Sequence, residues 1–277
     1  MDKPPLWLRN GSRRINPNFE RRRQNKEGDK MNCYDHFLEQ IESGQITGRY
    51  AMEAFAERLK GDGNLDKPVL ANATALGWAC GRRNLELVAA LLEAGALPDG
   101  LSEGSANDRI SPMASAMNTM QSSEGRACAE LLYRAGASVD KIDPAGLAPL
   151  HYAVMFKRGI EGINWLLSKG ANPNAIGARG LAPIHVAAGL ENIDAAKAFV
   201  GAGADPRALA DCEVLGIKLE DGRKLMSALD LANSLTAEGR TMAELLLQAA
   251  QARTDREDLD ISIDIPPERR LPMKSRI

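Results

Sequence analysis

The feature that most constrains this chain is a short apolar motif that returns five times. It reads Thr74-Ala-Leu-Gly-Trp-Ala79, Ser111-Pro-Met-Ala-Ser-Ala116, Ala148-Pro-Leu-His-Tyr-Ala153, Ala182-Pro-Ile-His-Val-Ala187 and Ser227-Ala-Leu-Asp-Leu-Ala232. Successive starts lie 37, 37, 34 and 45 residues apart. Each motif is followed by a second apolar segment, at residues 85–92, 127–132, 163–167, 193–200 and 242–247, and four of the five then carry Gly-Ala, at Gly95, Gly136, Gly170 and Gly203. A unit this short cannot enclose a core of its own, so stacked copies must bury each other's apolar faces. One elongated domain with tails is the expected product.

The residue types say what each unit is made of. Apolar content is 44% and comes largely from Ala and Leu, strong helix formers that let helices approach closely, whereas aromatics are only 4%. Pro112, Pro149 and Pro183 fit the first turn of a helix, where the missing N–H would have been unpaired anyway. Glycine after the last Leu of the second segment suits the left-handed position that stops a helix. Asn172-Pro-Asn174 and Asp205-Pro206 are turn chemistry that projects an extended hairpin before the next unit.

These residues resemble the ankyrin repeat family, whose pattern runs Thr-Pro-Leu-His-x-Ala-Ala, a second helix, then Gly-Ala-x-x-Asn/Asp. Asp143, Gly146, Pro149, Leu150, His151, Ala153, Gly170, Ala171 and Asn174 fall on it, as do Gly180, Pro183, His185, Ala187, Ala188, Gly203 and Asp205. The resemblance covers about residues 69 to 250. Two departures stand out: about four extra residues near 121–125 in the second repeat, and a long segment, 207–226, before the fifth, whose Gly-Ala position reads Ala249-Ala250. It implies an all-α ankyrin solenoid of about five repeats, with β-hairpin-like loops between helix pairs.

Outside the array, Tyr34, Phe37, Leu38 and Ile41, then Met52, Phe55, Ala56 and Leu59, recur at helical spacing. The expected organisation is a basic, flexible tail at 1–30, a helical N-terminal cap at 31–66, the repeat domain at 67–250, and a C-terminal tail at 251–277. In that last tail Leu259, Ile261, Ile263 and Ile265 alternate with Asp258, Asp260, Ser262 and Asp264, a strand period. The tail at 1–30 holds nine Lys/Arg against four Asp/Glu, a charge of +5 that leaves −7 on the other 247 residues. Arg13-Arg14 and Arg21-Arg22-Arg23 are read as part of a solvated basic tail, so nucleic-acid binding is not the expected role.

Nothing in the pattern points to chemistry. The three histidines, His36, His151 and His185, have no ligand-spaced companions, and the resemblance implies structural bonds for the latter two. Cys33, Cys80, Cys128 and Cys212 match neither a zinc site nor a disulfide framework, which fits a reducing, cytoplasmic setting. No phosphate loop, Cys-x-x-Cys or Gly-x-Ser-x-Gly occurs, so no cofactor, metal or small-molecule substrate is expected, and no membrane span. The expected function is protein–protein recognition by steric inhibition, scaffolding or targeting. A narrower version is a bacterial effector, working in a host cytosol, or a toxin-neutralising protein. An enzyme or a nucleic-acid binder carried on the array is the alternative. The family geometry implies a concave binding face exposing Trp78, Ser115, Tyr152, Val186 and Leu231, with Arg82, Phe156 and Leu190 one turn later, and packing between neighbouring inner helices is the equal alternative for these positions. Hairpin tips near Asp108-Arg109, Asp143-Pro144 and Ala178-Arg179, and the 207–226 segment, complete that expected surface.

Overall fold

The computed structural model describes residues 33–70, 73–100, 110–156, 160–211, 225–233 and 237–263. Helices α1 (Cys33–Glu42) and α2 (Arg49–Gly61) come first, followed by two short paired strands, β1 (Pro68–Leu70) and β2 (Ala73–Thr74). Five helix pairs follow: α3 (Ala75–Gly81) with α4 (Leu85–Glu93), α5 (Pro112–Met117) with α6 (Ser123–Arg134), α7 (Pro149–Met155) with α8 (Glu161–Ser168), α9 (Pro183–Gly189) with α10 (Ile193–Gly201), and α11 (Ala228–Asn233) with α12 (Ala237–Ile263). A second antiparallel ribbon, β3 (Leu209–Asp211) and β4 (Leu225–Ser227), leads into the last pair.

Each first helix starts where its sequence supplies an acceptor for an unpaired backbone N–H. Thr74 Oγ1 accepts from Gly77 N at 3.1 Å, and Ser111 Oγ from Ala114 N at 3.1 Å. Ala148 and Ala182 have no such oxygen, so His151 Nδ1 accepts from Ala148 N and His185 Nδ1 from Ala182 N, both at 3.1 Å. The second helices are capped by Asn84, Ser122 and Asn192. They stop at Gly95, Gly136, Gly170 and Gly203, all with φ between 86° and 100°, the left-handed conformation read from the sequence.

The first helices pack directly on one another from α3 to α11. Ala79, Ala116, Ala153, Ala187 and Ala232 are all buried, and their small side chains permit the approach. Leu76, Met113, Leu150 and Ile184 fill the layer between first and second helices together with Leu87, Leu91, Leu132, Ile163, Leu166 and Phe199. Truncating one of these leucines to Ala costs ~2–5 kcal/mol in a core of this kind.

A side-chain ladder ties unit to unit. The residue four places after each stop glycine accepts from the backbone N–H two places after the next one: Asp99 from Ser138 at 2.9 Å, Asp140 from Asn172 at 2.9 Å, Asn174 from Asp205 at 2.7 Å. Asp66 accepts from Leu97 N at 2.7 Å, which joins the α1–α2 pair to the same ladder. At the other end Arg207 takes the ladder position and donates to Ala250 O of α12 at 2.6 Å.

The C-terminal alternation does not make a strand up to Ile263. The segment containing Leu259, Ile261 and Ile263 continues α12 as helix, and residues 264–277 lie outside the described residues. Propagating an existing helix fixes one residue per bond gained, whereas a strand needs an edge to pair with. The tail at 1–30 also lies outside the described residues.

Arg83 carries φ 61° at the turn between α3 and α4, a conformation that costs a residue with a β-carbon about 1–2 kcal/mol. Arg83→Gly is expected to raise the urea midpoint by up to ~1 kcal/mol of stability, net of glycine's entropic cost, at unchanged m-value. An unchanged or lowered midpoint would show that the turn is not strained.

Candidate protein-binding surface

The inner-helix residues expected on the binding face divide sharply. Trp78, Tyr152, Val186 and Leu231 are buried, at 8%, 6%, 1% and 0% exposure, and so are not the open groove positions expected of them. The cause is the close stacking of the first helices, which puts this position between neighbours. Tyr152 OH also donates to Asp143 Oδ2 at 2.6 Å, pinning the hairpin to α7. Burial pushes the Asp143 carboxyl up, against the opposing pull of that hydrogen bond. Arg82, Ser115, Phe156 and Leu190 remain half-exposed at or near the ends of the same helices. Arg82 lies 5.8 Å from the Trp78 ring and pairs with Glu42 at 2.8 Å. Phe156 stacks on Tyr152 at 5.9 Å. Leu190 lines a cleft of about 620 Å³ with Ile160, Glu161 and Ile193, between the third and fourth pairs. Ala178 and Arg179 lie in a 3-10 turn, Ala178–Gly180. The Arg179 side chain, the Asp108-Arg109 tip and residues 212–224 of the long segment lie outside the described residues.

What the inner helices withhold, the hairpins present. Ile142, Ile176 and Leu209 are 44%, 66% and 56% exposed, and each stands six residues after its stop glycine. They therefore occupy one position in three consecutive hairpins. Leu225, 51% exposed, extends the row. In the β3–β4 ribbon Leu209 faces Ser227 and Asp211 faces Leu225, so the two-residue pleat puts all four side chains on one face while Ala210 and Met226 are buried on the other. Isolated surface leucines are ordinary, but an aliphatic residue exposed at the same position of consecutive hairpins is a recurrent feature of the array. The sequence carried the signal: the sixth residue after each of the four stop glycines is Leu101, Ile142, Ile176 or Leu209, with Leu101 outside the described residues.

The hairpins are held rigidly enough to present that row. Ala178 N donates to Gly146 O at 2.7 Å, and a β-carbon on Gly177 would lie 2.4 Å from the same oxygen. His151 Nδ1 accepts from Ala148 N, which fixes the proton on Nε2, and that nitrogen donates to Leu181 O at 2.9 Å in the next hairpin. His185 makes the equivalent bond to Ala208 O at 2.7 Å, next to Leu209.

Burial holds the Cys80 thiol well above its ordinary range and pushes Cys128 up to about 11, so neither is a thiolate at neutral pH. Among the described residues no group of His, Cys, Asp and Glu is placed to hold a metal ion, and no helix is long and apolar enough to cross a membrane.

Residues 116–210, from within α5 to β3, match the family model for ankyrin repeats (3 copies). These residues carry ankyrin repeats. No curated protein matches it. The helical structure agrees with the all-α ankyrin solenoid, and α3 before the matched residues and α11 after them pack on their neighbouring first helices as the matched ones do. Ankyrin repeats are generally protein–protein interaction modules and typically non-enzymatic scaffolds.

In this ankyrin array the two histidine bonds carry a pH dependence. Burial lowers the pKa of both His151 and His185 from 6.5, against the opposing hydrogen bonds to backbone. As pH falls below 6.5 the unfolded chain takes up protons that the folded hairpins refuse, so stability falls with falling pH, by up to about 1.4 kcal/mol per unit for each histidine. Urea titrations at pH 7.5 and 5.5 are expected to show this loss. In a His151→Asn/His185→Asn variant the difference should shrink, and an equal loss in that variant would assign it to other groups.

Proposed function

We propose that this ankyrin-repeat protein binds a folded protein partner along its hairpin tips and the adjoining ends of its inner helices. It acts by occupying that partner's surface, as inhibitor, scaffold or targeting element. Effector or toxin-neutralising action would be particular forms of that steric role. The observation that carries the reading is the exposed row Ile142, Ile176 and Leu209, aliphatic at one position of three consecutive hairpins, with Leu225 exposed on the strand paired to Leu209 and none of them buried by the described residues. Arg82, Ser115, Phe156 and Leu190 border it on the inner-helix side of the face that the family geometry makes concave. Trp78, Tyr152, Val186 and Leu231 serve this surface from beneath, as the packing that fixes helix and hairpin.

The magnitudes favour the hairpins over the tails. A central apolar anchor at a protein interface is worth ~2–4 kcal/mol on truncation, whereas exposed charges on a solvated tail contribute mainly to association rate. Of the 207–226 segment, the described strands β3 and β4 bring Leu209 and Leu225 to this surface.

The test is capture of binding partners from native extract by the intact chain beside an Ile142→Glu/Ile176→Glu variant of matched helicity. The expected outcome is one stoichiometric protein partner held by the wild type and lost, by two orders of magnitude in affinity, from the variant. Retention of that partner by the variant, together with its loss on removing residues 1–30, would move recognition to the tail and overturn the reading.

A further inference from the structure

Resting on that reading, we infer that His151 and His185 are acid-sensitive positioning residues of the recognition surface: they hold the hairpins of Ile176 and Leu209 while uncharged and release them, with the helix stack intact, on protonation. Each ring is committed at both nitrogens. Nδ1 accepts from the N–H of Ala148 or Ala182, and Nε2 donates to Leu181 O or Ala208 O in the next hairpin. A protonated imidazole is a donor at both nitrogens and an acceptor at neither. One proton on Nδ1 therefore sets two N–H groups against each other across 3.1 Å, in rings that are 0% and 1% exposed. What the rings hold is local. Leu181 O also accepts from Gly177 N at 2.8 Å, which closes the turn directly after Ile176, and Ala208 adjoins Leu209. The buried layer of Leu150, Ile163, Ile184 and Phe199 has no part in these bonds, so a hairpin can open without emptying the core. Such sub-global openings lie below global unfolding in free energy.

The surrounding charges do little to offset that cost. In the hairpin of Ile142, Asp140 accepts from Asn172 N, Asp143 accepts from Tyr152 OH and Leu147 N, and Lys141 is exposed. In the hairpin of Ile176 the one charged side chain, Arg179, lies outside the described residues. Beside Leu209, Arg207 donates to Ala250 O and Asp211 stands on the ribbon face opposite Ala210, while Asp230 of α11 is taken by Ser227. Burial is the largest influence on both histidines and lowers both pKa values; Asp205 favours charge on His185, and His185 opposes it on His151. A closed hairpin thus refuses a proton that an open one takes up at the ordinary imidazole pKa of about 6.5. The open fraction rises by up to about tenfold per pH unit below that value for each ring. Asp205 makes the rise smaller at His185 than at His151, because it lets the closed form accept the proton.

The experiment is amide hydrogen exchange by NMR on the full chain from about pH 7.5 to 4.5, corrected for the intrinsic exchange rate, with helicity followed by circular dichroism. Wild type is read beside His151→Gln and His185→Gln, since Gln at this third helical position can accept from the same cap N–H but does not titrate. The expected result is that protection of the Ala148 and Gly177 amides falls by up to about tenfold per pH unit below 6.5, to levels well under those of Leu166 and Phe199, at unchanged helicity. In His151→Gln that dependence should vanish at Ala148 and Gly177, and in His185→Gln the smaller one at Ala182 and Ala208 should vanish. Hairpin and helix amides that lose protection together in the wild type would overturn the inference, and that comparison needs neither variant. A dependence surviving both substitutions would overturn it as well, by assigning the release to carboxylates. Because exchange is read without a partner, the proposed function fails separately: acid release of the hairpins, with partner capture at neutral pH undiminished by Ile142→Glu/Ile176→Glu, would keep the histidine device and move recognition elsewhere.

Discussion

Direct contact between the first helices of successive units is the constraint on which the rest depends. Ala79, Ala116, Ala153, Ala187 and Ala232 bring these helices together, and the approach converts five short motifs into one continuous core. It also decides where recognition can occur. A side chain between two such helices, as Trp78, Tyr152 and Val186 are, is spent on packing and cannot reach a partner. Exposed aliphatic side chains are found instead on the hairpins, at Ile142, Ile176 and Leu209. The ladder from Asp66 through Asp99, Asp140 and Asn174 then holds them in register, with the histidines as a second set of ties in the third and fourth units.

Most of the framework was legible because it rests on local chemistry. Proline within the first turn, a Thr or Ser cap, and glycine at the left-handed stop are statements about a few consecutive residues, and the structure repeats them at Pro112, Thr74, Ser111 and Gly95. The α1 and α2 helices follow from apolar spacing in the same way. The C-terminal helix was illegible for the converse reason. Leu259, Ile261 and Ile263 alternate as a strand would, yet α12 was already formed upstream from Ala, Leu and Gln, and alternation over so few residues does not outweigh continuation of a helix.

The recognition surface was legible in part, and its misreading is instructive. Large aromatic side chains on the inner helices, Trp78 and Tyr152, drew the expectation because they resemble interface anchors. Whether such a residue is an anchor or a packing element depends on its neighbours in the stack, which no single repeat discloses. Ile142 and Ile176 look unremarkable one at a time, since single exposed aliphatics occur on every surface. Their meaning comes from alignment on the stop glycine, which shows an aliphatic residue at the sixth position in every unit that has such a glycine.

The fifth unit shows how firmly that position is kept. Its start lies 45 residues from the previous one, against 34 to 37 elsewhere, so the extra chain has to be accommodated without disturbing the stack. It is placed between β3 and β4, and the antiparallel register Leu209 to Ser227 and Asp211 to Leu225 closes the ribbon below it. Lengthening a loop costs only about 0.6 kcal/mol per doubling, which a closed ribbon and a packed α11 readily offset. Asp230 takes the place of the histidine, accepting from Ser227 N at 3.1 Å and from Ser227 Oγ at 2.8 Å, so the cap survives. What the insertion leaves intact is therefore both the buried face, Ala210 and Met226, and the exposed one, Leu209 and Leu225. The ribbon that brackets the added residues therefore supplies one more exposed aliphatic position, Leu225, without altering the core that supports it.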